Sequence, residues 1–181
     1  MTSTTSLSPS IINYRERHGR TYSNYEDVED WYPNDEKQQG SLEIMHQMML
    51  IYDKGKLFQA PVENPQRLLD VGTGTGIWAV DFASRFHSAS VTGTDLSPIQ
   101  PEWVPPNCSF ELDNANLRWN FPDNEFDFVH VRGLTGSITD WEEFYRAAYR
   151  CIKPGGWIDV GHEKLFLRKV MEVVSEENRY I

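Results

Sequence analysis

Three glycines at every second position, Gly72, Gly74 and Gly76, and three acids, Asp70, Asp95 and Asp113, are the residues whose types and spacing best suit chemistry. The apolar run Leu68, Leu69 and Val71 leads into the glycines, and a second, Ile77, Trp78 and Ala79, follows them. A strand, a glycine-rich turn and a helix form a site for a nucleotide-type cofactor, because a residue without Cβ lets the backbone come close to a ligand. A plain turn with no ligand would be weakened by three alternating glycines. The dinucleotide fingerprint G-x-G-x-x-G places its third glycine one residue later, where Ile77 stands, and this argues against a nicotinamide dehydrogenase. Asp95 closes the run Ser90–Asp95 and lies 19 residues beyond Gly76. At the tip of a second strand such an acid can accept from both ribose hydroxyls. It can equally open a turn at Asp95-Leu96-Ser97-Pro98, and the two roles are compatible. Asp113 ends the alternating run that starts at Ser109, although Asp113-Asn114 is also ordinary turn chemistry.

The elements that must hold these residues follow in β/α order. Glu125–Arg132 reads as a buried strand of the parallel kind. A helix spans Asp140 to Ile152 and is stopped by Lys153, Pro154, Gly155 and Gly156, and a strand runs from Trp157 to Val160. The pattern predicts an α/β fold, a Rossmann-like parallel sheet of about five strands flanked by helices. Upstream, residues 1–13 read as a disordered tail rich in Ser and Thr. Residues 14–60 form a separate helical segment, and 61–181 the main domain. Asp35 is placed to cap a helix that reaches Tyr52. Its apolar positions Leu42, Met45, Met49 and Tyr52 step by three and four, and read as a packing face. Pro61 and Pro65 break the chain before the first core strand.

Composition excludes several function classes. The net charge is −10 over 181 residues, with no Lys/Arg run, so phosphate backbones and anionic lipid are repelled. Direct nucleic-acid and membrane partners are therefore not expected. Cys108 and Cys151 lack metal-ligand spacing and read as small buried apolar groups in a reducing compartment. With no signal-peptide core and no apolar run near the roughly 20 residues of a membrane span, the chain reads as soluble and intracellular, cytoplasmic or nuclear.

An acid two residues before G-x-G-x-G resembles the first motif of the class I methyltransferases that use S-adenosyl-L-methionine. More specific runs resemble the fungal LaeA-like methyltransferases of secondary metabolism: Gly93-Thr-Asp-Leu-Ser-Pro-Ile-Gln-Pro101, Trp103-Val-Pro-Pro-Asn-Cys108 and Tyr149-Arg-Cys-Ile-Lys-Pro-Gly-Gly-Trp157. The resemblance spans about residues 18–162. It implies that Asp70 lies near the cationic end of the cofactor, with Gly72, Gly74 and Gly76 in the loop and Asp95 with Leu96 at the ribose. It further implies that Asp113 accepts from the adenine amine while Asn114 or Ala115 reaches a ring nitrogen. Tyr22 and Tyr25 would belong to a lid over the cofactor; an aromatic arm on the outer face of the sheet is the other reading.

The resemblance identifies no catalytic group. His130 and Arg132, at the end of the fourth core strand, are candidates on the rim where acceptors sit, and His162 and Glu163 are weaker ones. His130 could instead bond a backbone carbonyl on its strand. The usual strands six and seven are not expected, because only about twenty residues follow Val160. The fifth strand would then be an edge. A shortened product, a protein partner over that edge, or a terminal helix folded back over it would each account for this. Two functions stay open: a methyltransferase acting on a natural-product or protein acceptor, and a non-catalytic accessory or regulatory subunit working through protein partners.

Overall fold

The computed structural model describes residues 13–25 and 32–161. The tail to residue 12, Trp31, His162, Glu163 and the helix expected after residue 163 lie outside the described residues.

The chain opens with a two-stranded antiparallel hairpin, β1 (Arg15–Arg17) and β2 (Arg20–Tyr22). His18 and Gly19 at its tip both have positive φ, 52° and 70°, the backbone of a turn that matches strand twist. The charged, aromatic composition of this segment concealed the hairpin. Helix α1 (Glu36–Tyr52) follows, and Asp35 caps it by accepting from the Gln38 amide, as the sequence predicts. Arg20 grips the same carboxylate with two nitrogens. Hydrogen bonding to Arg20 holds the Asp35 carboxyl down to a pKa of about 2.

The main sheet comprises β3 (Arg67–Val71), β4 (Ser90–Asp95), β5 (Cys108–Leu112), β6 (Phe126–Arg132) and β7 (Ile152–Gly161), all parallel, in the order β5-β4-β3-β6-β7. Helix α2 (Ile77–Arg85) connects β3 to β4, and α3 (Trp141–Cys151) leads into β7. The β4–β5 connection carries Pro98, Pro101, Pro105 and Pro106 and contains no helix. The chain steps outward from β3 to β5 and then returns to the other side of β3. The switch falls at the carboxyl ends of β3 and β6, where open α/β sheets form their crevice.

Both faces of the sheet are buried, which explains why β3 and β6 read as apolar runs rather than as alternating strands. On one face Leu68 and Phe128 pack with Trp78, Phe82 and Ala83 of α2. On the other, Leu69, Val71, Val129 and Val131 pack with Phe144 and Ala148 of α3. Asp140 caps α3 by accepting from the Glu142 and Glu143 amides. The sequence places a stop at Lys153–Gly156 and starts the last strand at Trp157; in the structure β7 begins at Ile152, directly after the helix. Ile152 pairs with Phe126 and Trp157 with Phe128, so Lys153–Gly156 bulges out of the strand between two paired positions. Asp127 stabilises this corner by accepting from the Gln66 and Arg67 amides and from Lys153 Nζ. Burial works to raise its pKa, yet these donors hold it below the ordinary carboxylate value. No described helix is long and apolar enough to cross a membrane.

Candidate cofactor site

The strand parity that builds the core also fixes the site. Leu68 and Asp70 share a face of β3, and Phe128 and His130 share the same face of β6, with Asp70 directly opposite His130. Where Leu68 and Phe128 fill the core, Asp70 and His130 therefore meet at the strand tips. His130 Nδ1 lies 2.7 Å from Asp70 Oδ1, and both residues are buried. A carboxylate only accepts, so Nδ1 carries a proton and donates it to Asp70. The imidazole stacks on the Trp78 indole, centroids 3.5 Å apart. His130 thus bonds a carboxylate and not the backbone carbonyl that its strand position suggested. The second Asp70 oxygen accepts from Thr73 Oγ1 at 2.6 Å.

The glycine loop turns at Gly72, Gly74 and Gly76, with φ of 69°, 58° and 75°. Its crowding is partly internal. A Cβ on Gly72 would sit 2.4 Å from Leu134 Cδ2, and one on Gly76 would sit 2.5 Å from the Phe110 ring. Positive φ favours glycine at these turns apart from any ligand. Asp95 moors the loop: Oδ2 accepts from the Gly74 amide at 2.8 Å and Oδ1 from the Ser97 amide at 2.9 Å. Gln100 Nε2 donates to the Gly74 carbonyl at 2.7 Å. Asp95 therefore opens the turn expected at Asp95-Leu96-Ser97-Pro98 from its place at the strand tip. The Asp113 amide donates to the Asp95 carbonyl, which brings the third acid beside the second. Asp113 also accepts from the Asn114 amide, and Asn114 from the Asn116 amide, so the turn chemistry expected of this pair is present.

These elements line one open cleft. Asp70, Gly72, Gly74, Asp95, Leu96, Asp113, Asn114, Ala115, His130 and Arg132 all line it. Gly76 does not; it caps α2 behind the loop. Tyr22 and Tyr25 do not line the cleft either, whereas Tyr32 does. The arm docks at the strand tips instead of on the outer face of the sheet. Ser23 Oγ donates to the Leu96 carbonyl at 2.6 Å, and Asn34 Nδ2 to Ser97 Oγ at 3.1 Å. Tyr14 is near enough to Asp95 that burial and that charge raise its pKa. The apolar stripe of α1, expected to pack, contributes Leu42, Met45 and Met49 to the cleft wall. Sequence spacing could not separate a packing face from a lining face.

One buried group in the loop lacks a partner. Thr75 lines the cleft, and its Oγ1 makes no hydrogen bond, alone among the buried side-chain atoms of the described residues. An unsatisfied buried hydroxyl costs about 1–3 kcal/mol, and a polar ligand would supply its partner. S-adenosylmethionine would suit this site on its chemistry too, since the acids lining the cleft would face a cationic ligand rich in hydroxyl and amine donors. Thr75→Val, which keeps the shape, is expected to leave the unliganded protein equally or more stable while weakening S-adenosylhomocysteine about 5- to 20-fold. Calorimetry with parallel urea melts checks this, and unchanged affinity would leave the hydroxyl without a role.

Residues 41–161 match a family model described as a methyltransferase domain. The chain belongs to this methyltransferase family. Among curated proteins, the methyltransferase pytC of Aspergillus terreus is 39% identical over 160 residues, covering 87% of this chain and 49% of its own length. The secondary metabolism regulator LAE1 of Cochliobolus heterostrophus is 40% identical over 153 residues, covering 81% and 50%. These relatives bear out the resemblance to the fungal LaeA-like proteins. The chain spans about half the length of the curated relatives it matches. A solved complex between the Haloferax volcanii Trm112 methyltransferase activator and a methyltransferase matches at a TM-score of 0.59 and 21% identity, covering 70% of this chain and 57% of that one. This likeness concerns the fold.

Proposed function

We propose that the chain binds S-adenosylmethionine in the cleft and serves methyl transfer in fungal secondary metabolism. The convergence of the glycine loop with Asp70, Asp95 and Asp113 on one cleft supports this most directly. Asp95 with Leu96 would hold the ribose, and Asp113, Asn114 and Ala115 the adenine. Asp70 and the loop from Gly72 to Gly76 would face the amino-acid end. When bound, the cofactor supplies a methyl group already activated on a sulfonium. The protein's part is then to align an acceptor and exclude water. His130 is the candidate proton acceptor, because Asp70 takes its Nδ1–H and orients the ring at the strand tip. Arg132, on the same strand end, would orient an acceptor bearing negative charge. A natural product is one acceptor class, and a protein side chain, as in the name of the relative called a protein-methionine methyltransferase, is the other. The lid role is carried by the segment 14–60 through Tyr32 and α1.

Calorimetric titration of the folded chain with S-adenosylmethionine and S-adenosylhomocysteine tests this reading. Micromolar binding is expected. No heat from well-folded protein would overturn the enzyme reading and leave the accessory role, to be pursued by partner capture.

A further inference from the structure

Helix α1 roofs the cleft, yet of its 17 residues only His46 is fully buried. Leu42, Met45 and Met49 face the cleft and not a packed core. Ile44, Met48 and Ile51 are exposed on the outer side. The helix is anchored at its start by the Asp35–Arg20 pair, and just beyond its end by the Gly55 carbonyl, which accepts from Arg85. Leu50 adds apolar contact to the core. Between these points His46 makes polar contacts with both α2 and β6.

That imidazole has a charged partner on each side. His46 Nε2 lies 2.9 Å from Asp81 Oδ2 on α2, and Nδ1 lies 3.2 Å from Arg132 Nη2 on β6. Arginine only donates and a carboxylate only accepts, so the contacts specify the neutral tautomer with its proton on Nε2. A second proton would put an N–H on Nδ1 against the Arg132 donor and would place two cations in contact. We propose that His46 is a proton-sensitive latch: acidification releases α1 from the cleft and thereby weakens the ligand bound beneath it. The ligand half of this inference rests on the cofactor reading above; the latch half does not.

The balance of groups facing His46 supports the direction. Burial opposes its charge most strongly, and Arg132 and His130 on β6 oppose it further. Asp81 on α2 favours the charge through its hydrogen bond and its field, but is outweighed, so the pKa in the closed state lies below the ordinary value. Once α1 lifts and the ring is hydrated, the group titrates near its ordinary value of about 6.5. Opening is therefore independent of pH well above about 6.5. Below that value it gains up to about tenfold per pH unit, until the closed-state pKa is reached.

The test is amide hydrogen exchange of the full chain at pH 7.5, 6.5 and 5.5, corrected for intrinsic exchange, with S-adenosylhomocysteine calorimetry beside it. The opening constant of α1 should rise up to about tenfold between pH 7.5 and 5.5 while that of α3 stays level. His46→Gln should lose this dependence. Asp81→Asn keeps an acceptor for Nε2–H and removes the charge that favours protonation, so it should retain the dependence. A level wild-type profile, or an unchanged slope in His46→Gln, would overturn the latch. So would loss of the slope in Asp81→Asn, which would assign the titration to Asp81; this variant decides the matter should His46→Gln fail to fold. Absence of S-adenosylhomocysteine binding at every pH would overturn the cofactor reading and leave the exchange result standing.

Discussion

Asp95→Ala is expected to weaken S-adenosylhomocysteine binding by at least about 100-fold while leaving the far-ultraviolet circular dichroism unchanged. Asp95 ends β4, and its two oxygens accept from the Gly74 and Ser97 amides. Hydrogen bonds to a charged group contribute about 1.5–3 kcal/mol each. Their loss unmoors the glycine loop from the strand tip and also removes the acceptor proposed for the ribose. The sheet does not depend on this side chain, since the β3–β4 and β4–β5 ladders are made by backbone groups. Asp95→Asn keeps one acceptor oxygen and should fall between wild type and alanine. Calorimetry that placed the alanine variant within threefold of wild type would remove Asp95 from the site.

The largest effect on stability is expected for Phe82→Ala. Phe82 is fully buried on α2, with ring centroids 4.4 Å from Phe86, 5.2 Å from Trp78 and 5.7 Å from Phe58. Emptying a buried phenylalanine site costs about 3–5 kcal/mol, because the transfer energy is lost and the cavity collapses only partly. A domain of this size holds about 5–15 kcal/mol in all, so the variant would be marginal. Urea unfolding should show a fall of this size, and the melting temperature should drop by about 6–20 °C. The same substitution loosens α2, which begins at the end of the glycine loop, so ligand affinity should fall with stability. A loss under about 1.5 kcal/mol would mean that this face of the sheet is not close-packed.

The sequence alone determined the parts whose signals are local. Alternating glycines after an apolar run define a strand–turn–helix, and Ser90–Asp95 was read with the boundaries the structure gives. Asp35 announced its helix because a short carboxylate side chain satisfies free amides at an N-terminus. The buried parallel strand β6 was legible from its continuous apolar run. Tertiary structure decided what depends on registry between distant segments. Strand pairing set Asp70 opposite His130, and no spacing along the chain relates residues from β3 and β6. The stripe on α1 became cleft wall and not core, because periodicity shows that a helix has an apolar face but not what that face meets. His46 gave no signal at all, since its partners Asp81 and Arg132 come from two other elements. The turns and caps of this protein were written within a few residues of one another; its buried polar contacts were made only when the sheet brought remote residues into hydrogen-bonding reach.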